Sequence, residues 1–322
     1  MSKRVLVVAV AVLCLIAMGA NLYAGKPQPP PPPPTPTRIA YWAWAGSNRN
    51  GSYQLFSIYT NGTGALQLTT IASGPNEMPS WSPDGRRICF VSFRDVGWRI
   101  YTMNADGTDQ VRLTQVQNSD DRSPDWSPLG DKIAYGRYNY DDHSGDGIYV
   151  MDLDTAEEQR LTVAPESVGG QGSPSWSPDG EFIVFHWPQG TPPGLYVIPA
   201  DGSAEPTFLT SGSMPDWSPT GSAIAYTGSG YICYVGVWLN PSTGVWETVG
   251  APVQVTTTYD GPWTYHPTWS SSGTSLTYTT RVYDKTGKLV QHAVTTDLTT
   301  TPFTQRDLGV EGLCPDWSPV LP

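Results

Sequence analysis

The chain of 322 residues repeats one short phrase six times. The phrase is Pro-x-Trp-Ser-Pro-Asp-Gly, which is complete at residues 79–85 and 174–180 and varied in the other copies. Its tryptophans are Trp81, Trp126, Trp176, Trp217, Trp269 and Trp317. They lie 45, 50, 41, 52 and 48 residues apart, a period typical of one propeller blade rather than of a two-helix solenoid unit.

Each period contains the signals of four short strands. An apolar run such as residues 88–91 follows the turn, and a second run such as residues 100–103 follows a loop of variable length. Both runs are rich in β-branched and aromatic residues, which favours strands. Asp106-Gly107 predicts a hairpin, because this pair tolerates positive φ, and a fourth strand ends in Leu113-Thr114.

The two ends of the repeat region complement each other. Residues 38–69 contain a second, third and fourth strand with no first strand before them, and residues 313–317 form a first strand with nothing behind it. If these segments pair, six blades close into a ring with no exposed sheet edge at the seam. The sequence therefore predicts an all-β, six-bladed propeller over residues 38–322.

The phrase has a structural explanation that requires no function. Proline lacks an N–H and is tolerated at the first residue of a strand or on an unpaired strand side. Each tryptophan is large enough to fill the wedge between two blades. We therefore interpret the six tryptophans and the turn aspartates as structural residues.

The repeat resembles the TolB-type, WD-like β-propeller repeat. Residues 79–85, Ile100-Tyr101 and Leu113-Thr114 match its consensus almost word for word, and the resemblance covers residues 38–319. TolB itself has an additional α/β domain before its propeller, and the segment before Arg38 is too short for one. The fifth and sixth repeats also depart from the consensus, at residues 235–238 and 292–294. The resemblance therefore implies a free-standing propeller of this family.

We expect the first 37 residues to contain an export signal followed by a linker. Lys3 and Arg4 precede an apolar run at residues 5–20, which is typical of a secretory signal peptide over residues 1–24. An uncleaved membrane anchor remains the alternative. Residues 25–37 are rich in proline and predict an extended linker. We expect an exported protein that is periplasmic, on the cell surface or secreted.

Composition and motifs narrow the functional classes. The net charge of −11 disfavours a nucleic-acid partner, because an acidic surface repels phosphates. The sequence contains no Gly-x-Ser-x-Gly, Walker loop, His-Glu-x-x-His or Cys-x-x-Cys motif. We expect a monomer that contacts a membrane only through an N-terminal anchor.

Strand order predicts where a partner would bind. The Trp-Ser-Pro-Asp-Gly turns share one face of the ring, and the variable loops share the other, where recognition is usual on a rigid scaffold. Residues just before each inner strand are expected at the channel mouth, and aromatic side chains in the loops are expected as anchors. These candidate binding residues are Glu77, Asp121, Arg122, Trp187, Trp263, Tyr265 and His266.

One loop has clustered carboxylates. Asp141, Asp142 and Asp146 could bind Ca²⁺, which prefers oxygen ligands. Their spacing fits no EF-hand, so a solvated acidic loop remains the alternative, and no other cofactor is expected.

Two functional hypotheses remain open. The first is an exported, noncatalytic scaffold that binds a protein or cell-envelope partner through its variable loops. The second is a carbohydrate-active or other lyase or hydrolase with its site at the channel mouth of the same face. Loss of turnover in Glu77→Gln or His266→Ala would favour the enzyme.

Overall fold

Alternating apolar residues separated by glycine-containing turns build a ring of antiparallel sheets. The computed structural model describes residues 37–319 except 48–49, 142–144, 164–171, 257–263, 284–286 and 288. In this part of the chain, 24 strands form six four-stranded sheets. The fold is therefore the predicted six-bladed propeller.

The blades follow one another along the chain. Blade 1 contains β1 (Arg38–Ala45), β2 (Ser52–Tyr59), β3 (Leu66–Gln67) and the last strand, β24 (Leu313–Trp317). Blade 2 contains β4 (Asn76–Trp81), β5 (Arg87–Ser92), β6 (Arg99–Asn104) and β7 (Val111–Arg112). Blade 3 contains β8 (Ser119–Trp126), β9 (Lys132–Asn139), β10 (Gly147–Asp152) and β11 (Glu158–Arg160).

The remaining three blades repeat this order. Blade 4 contains β12 (Gly172–Trp176), β13 (Phe182–Trp187), β14 (Gly194–Pro199) and β15 (Thr207–Thr210). Blade 5 contains β16 (Ser213–Trp217), β17 (Ala223–Gly228), β18 (Tyr231–Asn240) and β19 (Val245–Gln254). Blade 6 contains β20 (Tyr265–Trp269), β21 (Ser275–Tyr283), β22 (Leu289–Asp297) and β23 (Thr304–Glu311).

The chain ends close the ring as predicted. β24 pairs antiparallel with β1, so that Trp317 lies opposite Ile39 and Asp316 opposite Ala40. Beyond the paired residues, the Ser318 N–H donates to the Arg38 carbonyl at 2.8 Å. The last strand thus supplies the innermost strand of blade 1, which completes four strands in this blade as in the other five.

The core is divided into clusters between neighbouring blades. One cluster joins Trp42 and Leu55 of blade 1 to Trp81 and Phe90 of blade 2. Five further clusters of the same kind lie around the ring, each with one of the six repeat tryptophans in or against it. Truncating a buried indole such as Trp176 to alanine would cost about 3–5 kcal/mol.

Each repeat turn is fixed by its own side chains. In blade 2, the Gly85 N–H donates to the Ser82 carbonyl at 2.9 Å, and Gly85 has φ +65°. The Ser82 hydroxyl donates to Asp84 Oδ1 at 2.6 Å. The turn therefore requires glycine at its last position, and an aspartate before that glycine stabilises it by accepting hydrogen bonds.

Helical structure is minor in the described residues. A 3₁₀ helix spans Ile71–Ser73, and no helix there has the length and apolar character needed to cross a bilayer. The predicted signal peptide at residues 1–24 and the linker up to residue 36 lie outside the described residues. Those two predictions remain untested.

Candidate functional site

Six polar side chains from the inner strands line both the cavity on the turn side of the central channel and the cavity at its mouth. We call this ring the waist. The residue between proline and tryptophan in each repeat alternates around this waist between a hydroxyl and a carboxylate. In chain order these residues are Ser80, Asp125, Ser175, Asp216, Thr268 and Asp316. The waist is thus a pseudo-threefold ring of carboxylates.

These side chains link each blade to the next. Asp125 Oδ2 accepts the Trp176 N–H at 2.9 Å, and Asp316 Oδ2 accepts the Trp81 N–H at 2.7 Å. The Ser80 hydroxyl oxygen accepts the Trp126 N–H at 3.1 Å. The waist therefore satisfies inner backbone donors that a sheet edge would otherwise leave open.

The enclosed position of the waist perturbs its acids. Burial raises the pKa of Asp125 to about 6 and the pKa of Asp216 to about 7. Burial also raises the pKa of Asp316 well above its usual range, and the neighbouring carboxylates Asp125 and Asp216 add to that effect. Each side chain keeps some surface toward the channel. The ring therefore carries fewer than three negative charges near neutral pH.

A bulge at each inner strand sets which residue faces the channel mouth on the variable-loop side. The residue before each repeat proline has φ between 50° and 55° at Met78, Ser123, Ser173, Met214 and His266. The strand register shifts at the same places. All five of these residues line the mouth, where a left-handed, bulged residue is turned out of the ladder.

The bulge places the predicted mouth residues differently from one another. His266 lines the mouth, and burial lowers its pKa to about 4, so its imidazole is neutral near pH 7. Tyr265 does not line it: its hydroxyl accepts a hydrogen bond from the Gln291 amide. Glu77 is half-buried, and burial raises its pKa against the opposing charge of Arg122.

Two neighbouring candidates in blade 3 are engaged within the fold. Asp121 is fully buried and accepts Arg137 Nε at 2.6 Å and Nη2 at 3.2 Å. Arg122 Nη2 donates to Asp120 Oδ2 at 3.1 Å, and its guanidinium lies 4.8 Å from the Trp98 ring centroid. Neither Asp121 nor Arg122 lines the channel mouth.

The two predicted tryptophan anchors have different outcomes. Trp187 ends β13, is half-buried, and packs with its centroid 5.1 Å from that of Tyr196 in the same blade. Its indole therefore serves packing within blade 4 as well as any contact outside it. Trp263 lies outside the described residues.

The acidic loop of blade 3 is only partly described. Asp146 is fully buried, and its Oδ1 accepts the Asn139 N–H at 2.5 Å, so it shapes the loop. Asp141 is exposed and accepts the Asn118 amide at 3.4 Å. Asp142 lies outside the described residues, and the rest of the described chain has no cluster of three or more His, Cys, Asp or Glu suited to a metal ion.

Exposed aromatic side chains gather on the variable-loop face. They lie at or just past the ends of second strands in four consecutive blades: Tyr283 in blade 6, Trp44 in blade 1, Phe93 in blade 2 and Tyr140 in blade 3. We call them the aromatic arc. Tyr283 is 75% exposed and Trp44 50%, so large apolar surface is available there.

A cavity opens beside the arc at the seam of the ring. It has a volume of about 380 Å³ and is lined by Trp44 and Tyr53 of blade 1 and by Arg281 and Gln291 of blade 6. The Trp44 and Tyr53 rings meet edge to face at 5.3 Å. The loop face thus offers a recess with aromatic and polar walls.

Sequence reasoning missed most of these features. The waist was visible as the alternation of Ser or Thr with Asp before each repeat tryptophan. The mouth residues Met78, Ser123, Ser173 and Met214 were missed because strand alternation alone does not reveal a bulge. Trp44, Phe93, Tyr140 and Tyr283 had no signal beyond being aromatic residues near predicted loops.

The chain is similar to known proteins in family and in fold. The model of the TolB beta propeller domain matches residues 37–320. No curated protein matches the chain.

Solved structures share the fold at low identity. TolB from Acinetobacter baumannii is 21% identical with a TM-score of 0.64, over 88% of this chain and 67% of that one. A chain of the nidogen/laminin complex is 11% identical with a TM-score of 0.60, over 87% of this chain and 98% of that one. Kuenenia stuttgartiensis hydrazine synthase is 13% identical with a TM-score of 0.64, over 89% of this chain and 47% of that one.

At such identities these likenesses show the fold alone. The family model is the stronger finding, because it spans the whole propeller. This chain therefore belongs to the TolB β-propeller domain family.

Proposed function

We propose that the protein is an exported, noncatalytic propeller that binds a protein or cell-envelope partner through its variable-loop face. The observation that supports this function most is the aromatic arc. Aromatic side chains dominate the centres of protein interfaces because they bury a large area at small entropic cost. Four such groups on consecutive blades provide several apolar anchor points on one face.

The opposite face offers a partner much less. Its repeat turns are nearly uniform, and their polar groups are satisfied within each turn, as Ser82 and Asp84 illustrate. Among the described residues, this face exposes Leu129 at a repeat turn of blade 3 and Trp238 and Leu239 near the β18–β19 hairpin of blade 5, so its apolar groups do not lie on consecutive blades. Recognition therefore favours the face with the variable loops.

The enzyme hypothesis has less support. The cavity at the channel mouth measures about 100 Å³, whereas small-molecule sites usually measure roughly 300–1,000 Å³. His266 has a pKa of about 4 because of burial, and such a group is a weak general base near neutral pH.

Site-specific photocrosslinking in the source cells tests the proposal. A photoreactive residue at Phe93 or Tyr140 should give one discrete adduct, and the same residue at Leu129 on the turn face should give none. Alanine at both Trp44 and Tyr283 should abolish the adduct formed at Phe93. Equal adducts from both faces, or turnover of a glycan or ester panel that is lost in Glu77→Gln, would refute a noncatalytic loop-face binder.

Cell fractionation tests export separately. The full chain should be recovered outside the cytoplasm, and replacing Lys3 and Arg4 together with Leu6 and Leu13 by glutamate should retain it inside. Recovery of the unaltered chain in the cytoplasm would refute export.

A further inference from the structure

A second cavity lies on the variable-loop face at the rim of blade 2. It has a volume of about 600 Å³, and its walls include Arg94, Asp95, Val96, Arg99 and Arg112. We call it the rim pocket. It is walled by the loop between β5 and β6 and by the segment that leads from β7 to blade 3.

The rim pocket is strongly cationic in an acidic chain. Three arginines and one aspartate are among its lining residues, while the whole chain has a net charge of −11. Arg112 Nη1 lies 3.1 Å from Asp95 Oδ2, and the Asp95 side chain is 44% exposed. This one carboxylate offsets one of the three positive charges, and an ion pair so exposed contributes little to stability.

Arg99 is the least compensated of the three arginines. Its side chain is buried, with 2% of its surface exposed. Nη1 donates to the carbonyls of Trp98 and Ser119, and Nε has no partner within the described structure. No acid among the described residues forms an ion pair with Arg99, although buried charges are normally paired.

Arg94 is held by neutral groups as well. Its Nη2 donates to Asn76 Oδ1 at 3.0 Å and to Gln110 Oε1 at 2.8 Å. Its guanidinium carbon also lies 4.4 Å from the Tyr101 ring centroid. These contacts fix the position of Arg94, and the only carboxylate among its described neighbours is the shared Asp95.

Blade 3 has carboxylates at the positions where blade 2 binds Arg94 with amides. Asp121 lies opposite Arg137 on β8 and β9, as Asn76 lies opposite Ser92 on β4 and β5. Glu158 Oε2 accepts Arg137 Nη1 at 2.8 Å. Glu158 is two residues before Arg160, just as Gln110 is two residues before Arg112, at equivalent strand registers. Blade 2 therefore has amides where blade 3 has carboxylates.

We propose that the rim pocket binds a carboxylate supplied by an acidic segment of the partner protein. The planar fork of arginine matches a carboxylate with two parallel hydrogen bonds. Val96 is 91% exposed beside the pocket, and Phe93 of the aromatic arc precedes the same loop, so a polypeptide finds apolar contact next to the charges. That occupant rests on the proposed function, whereas binding of a free acidic peptide does not.

Titration calorimetry with a pentaglutamate peptide at low salt tests the site directly. The unaltered protein should bind, and Gln110→Glu should weaken binding by about tenfold or more, because it provides the carboxylate that blade 3 already has. Arg112→Gln should weaken binding similarly. Arg86→Gln, an exposed arginine at the repeat turn of the same blade, changes the charge equally and should leave binding within about twofold.

Several results would overturn the carboxylate site. They are absence of peptide binding, equal weakening by Arg86→Gln, or inorganic phosphate displacing the peptide at lower concentration than free glutamate does. Thermal unfolding shows whether each variant retains the fold. If the peptide binds as expected while no crosslinked partner appears in cells, the pocket stands and the proposed function fails.

Discussion

Blades 2 and 3 are neighbours with the same strand order, yet they bury arginine in different ways. In blade 3, Arg137 is enclosed by Asp121 and Glu158, and its guanidinium carbon lies 4.6 Å from the Tyr149 ring centroid. In blade 2, Arg94 is bound by the amide oxygens of Asn76 and Gln110. Arg99 on β6 has backbone carbonyls as its only described acceptors.

The difference distinguishes an arginine network that is satisfied within the fold from one that can still bind a ligand. A buried guanidinium paired with two carboxylates is engaged entirely within one blade, so it cannot also bind a ligand. The three arginines of the rim pocket have fixed positions and share one carboxylate, Asp95, so positive charge remains, which is the property of a preorganised binding site. The repeat therefore allows one position to serve stability in one blade and recognition in the next.

Removing a carboxylate from blade 3 should give the largest effect. Asp121→Asn leaves Arg137 with Glu158 alone, and breaking part of a buried ion network should reduce the free energy of unfolding by about 3 kcal/mol. Denaturant titration measures it. Glu157→Gln, an exposed neighbour, should change the free energy by less than about 0.5 kcal/mol. Equal effects of the two changes would show that the network is not structural.

The waist provides a second contrast, because blade 3 has Asp125 where blade 2 has Ser80. Burial raises the folded-state pKa of Asp125 from 3.8 to about 6. Asp125 therefore binds its proton more tightly in the folded state than in the unfolded state. Protonated Asp125 stabilises the fold below about pH 4, and this stabilisation is lost as pH rises through about 6. In Asp125→Asn this loss should disappear, which changes the stability difference from the unaltered protein by about 2 kcal/mol between about pH 4.5 and 7.5.

The control for this pH dependence is Asp154→Asn, which removes an exposed carboxylate. His266 has a lowered pKa and so opposes the trend below about pH 6.5, but its contribution cancels in the difference between each variant and the unaltered protein. A pH-independent difference for Asp125→Asn would contradict a raised pKa at the waist.

The repeat tryptophans of the two blades should also respond differently. Trp126 Nε1 donates to the Gly130 carbonyl at 3.2 Å, whereas Trp81 Nε1 is buried without a partner in the described structure. Trp126→Phe loses a hydrogen bond and Trp81→Phe does not, so the first change should destabilise by about 1 kcal/mol more than the second. Thermal unfolding of both variants measures the difference, and equal losses would contradict it.

The two blades also show which features a repeat sequence predicts and which it does not. Six copies of a phrase with tryptophan every 41 to 52 residues predict strands, blades and ring closure, because each copy repeats the same local signals. The site residues depend on register instead. A single bulged residue such as Met78 or His266 changes which side chain faces the channel, and Asp121 was therefore expected at the mouth although it is buried against Arg137.

Pairing across blades is likewise invisible in one sequence. Nothing near Arg94 in the chain indicates that Asn76 and Gln110 occupy the positions of Asp121 and Glu158. That equivalence appears only when the strand registers of the two blades are aligned. The rim pocket follows from the comparison of registers and not from any motif.

The smallest expected effect concerns the repeat turns. Blade 2 has Asp84, whose Oδ1 accepts the Ser82 hydroxyl and the Arg86 N–H, whereas blade 3 has the exposed Leu129 at the same place. The Ser127 hydroxyl already donates to Asp131 Oδ1 at 3.1 Å. Leu129→Asp adds an acceptor for the Asp131 N–H and should raise the free energy of unfolding by at most about 0.5 kcal/mol. Leu129→Ala, which removes the same side chain without adding an acceptor, should give no increase. A decrease in both variants would show that packing of Leu129 toward Gly180 outweighs the turn hydrogen bonds.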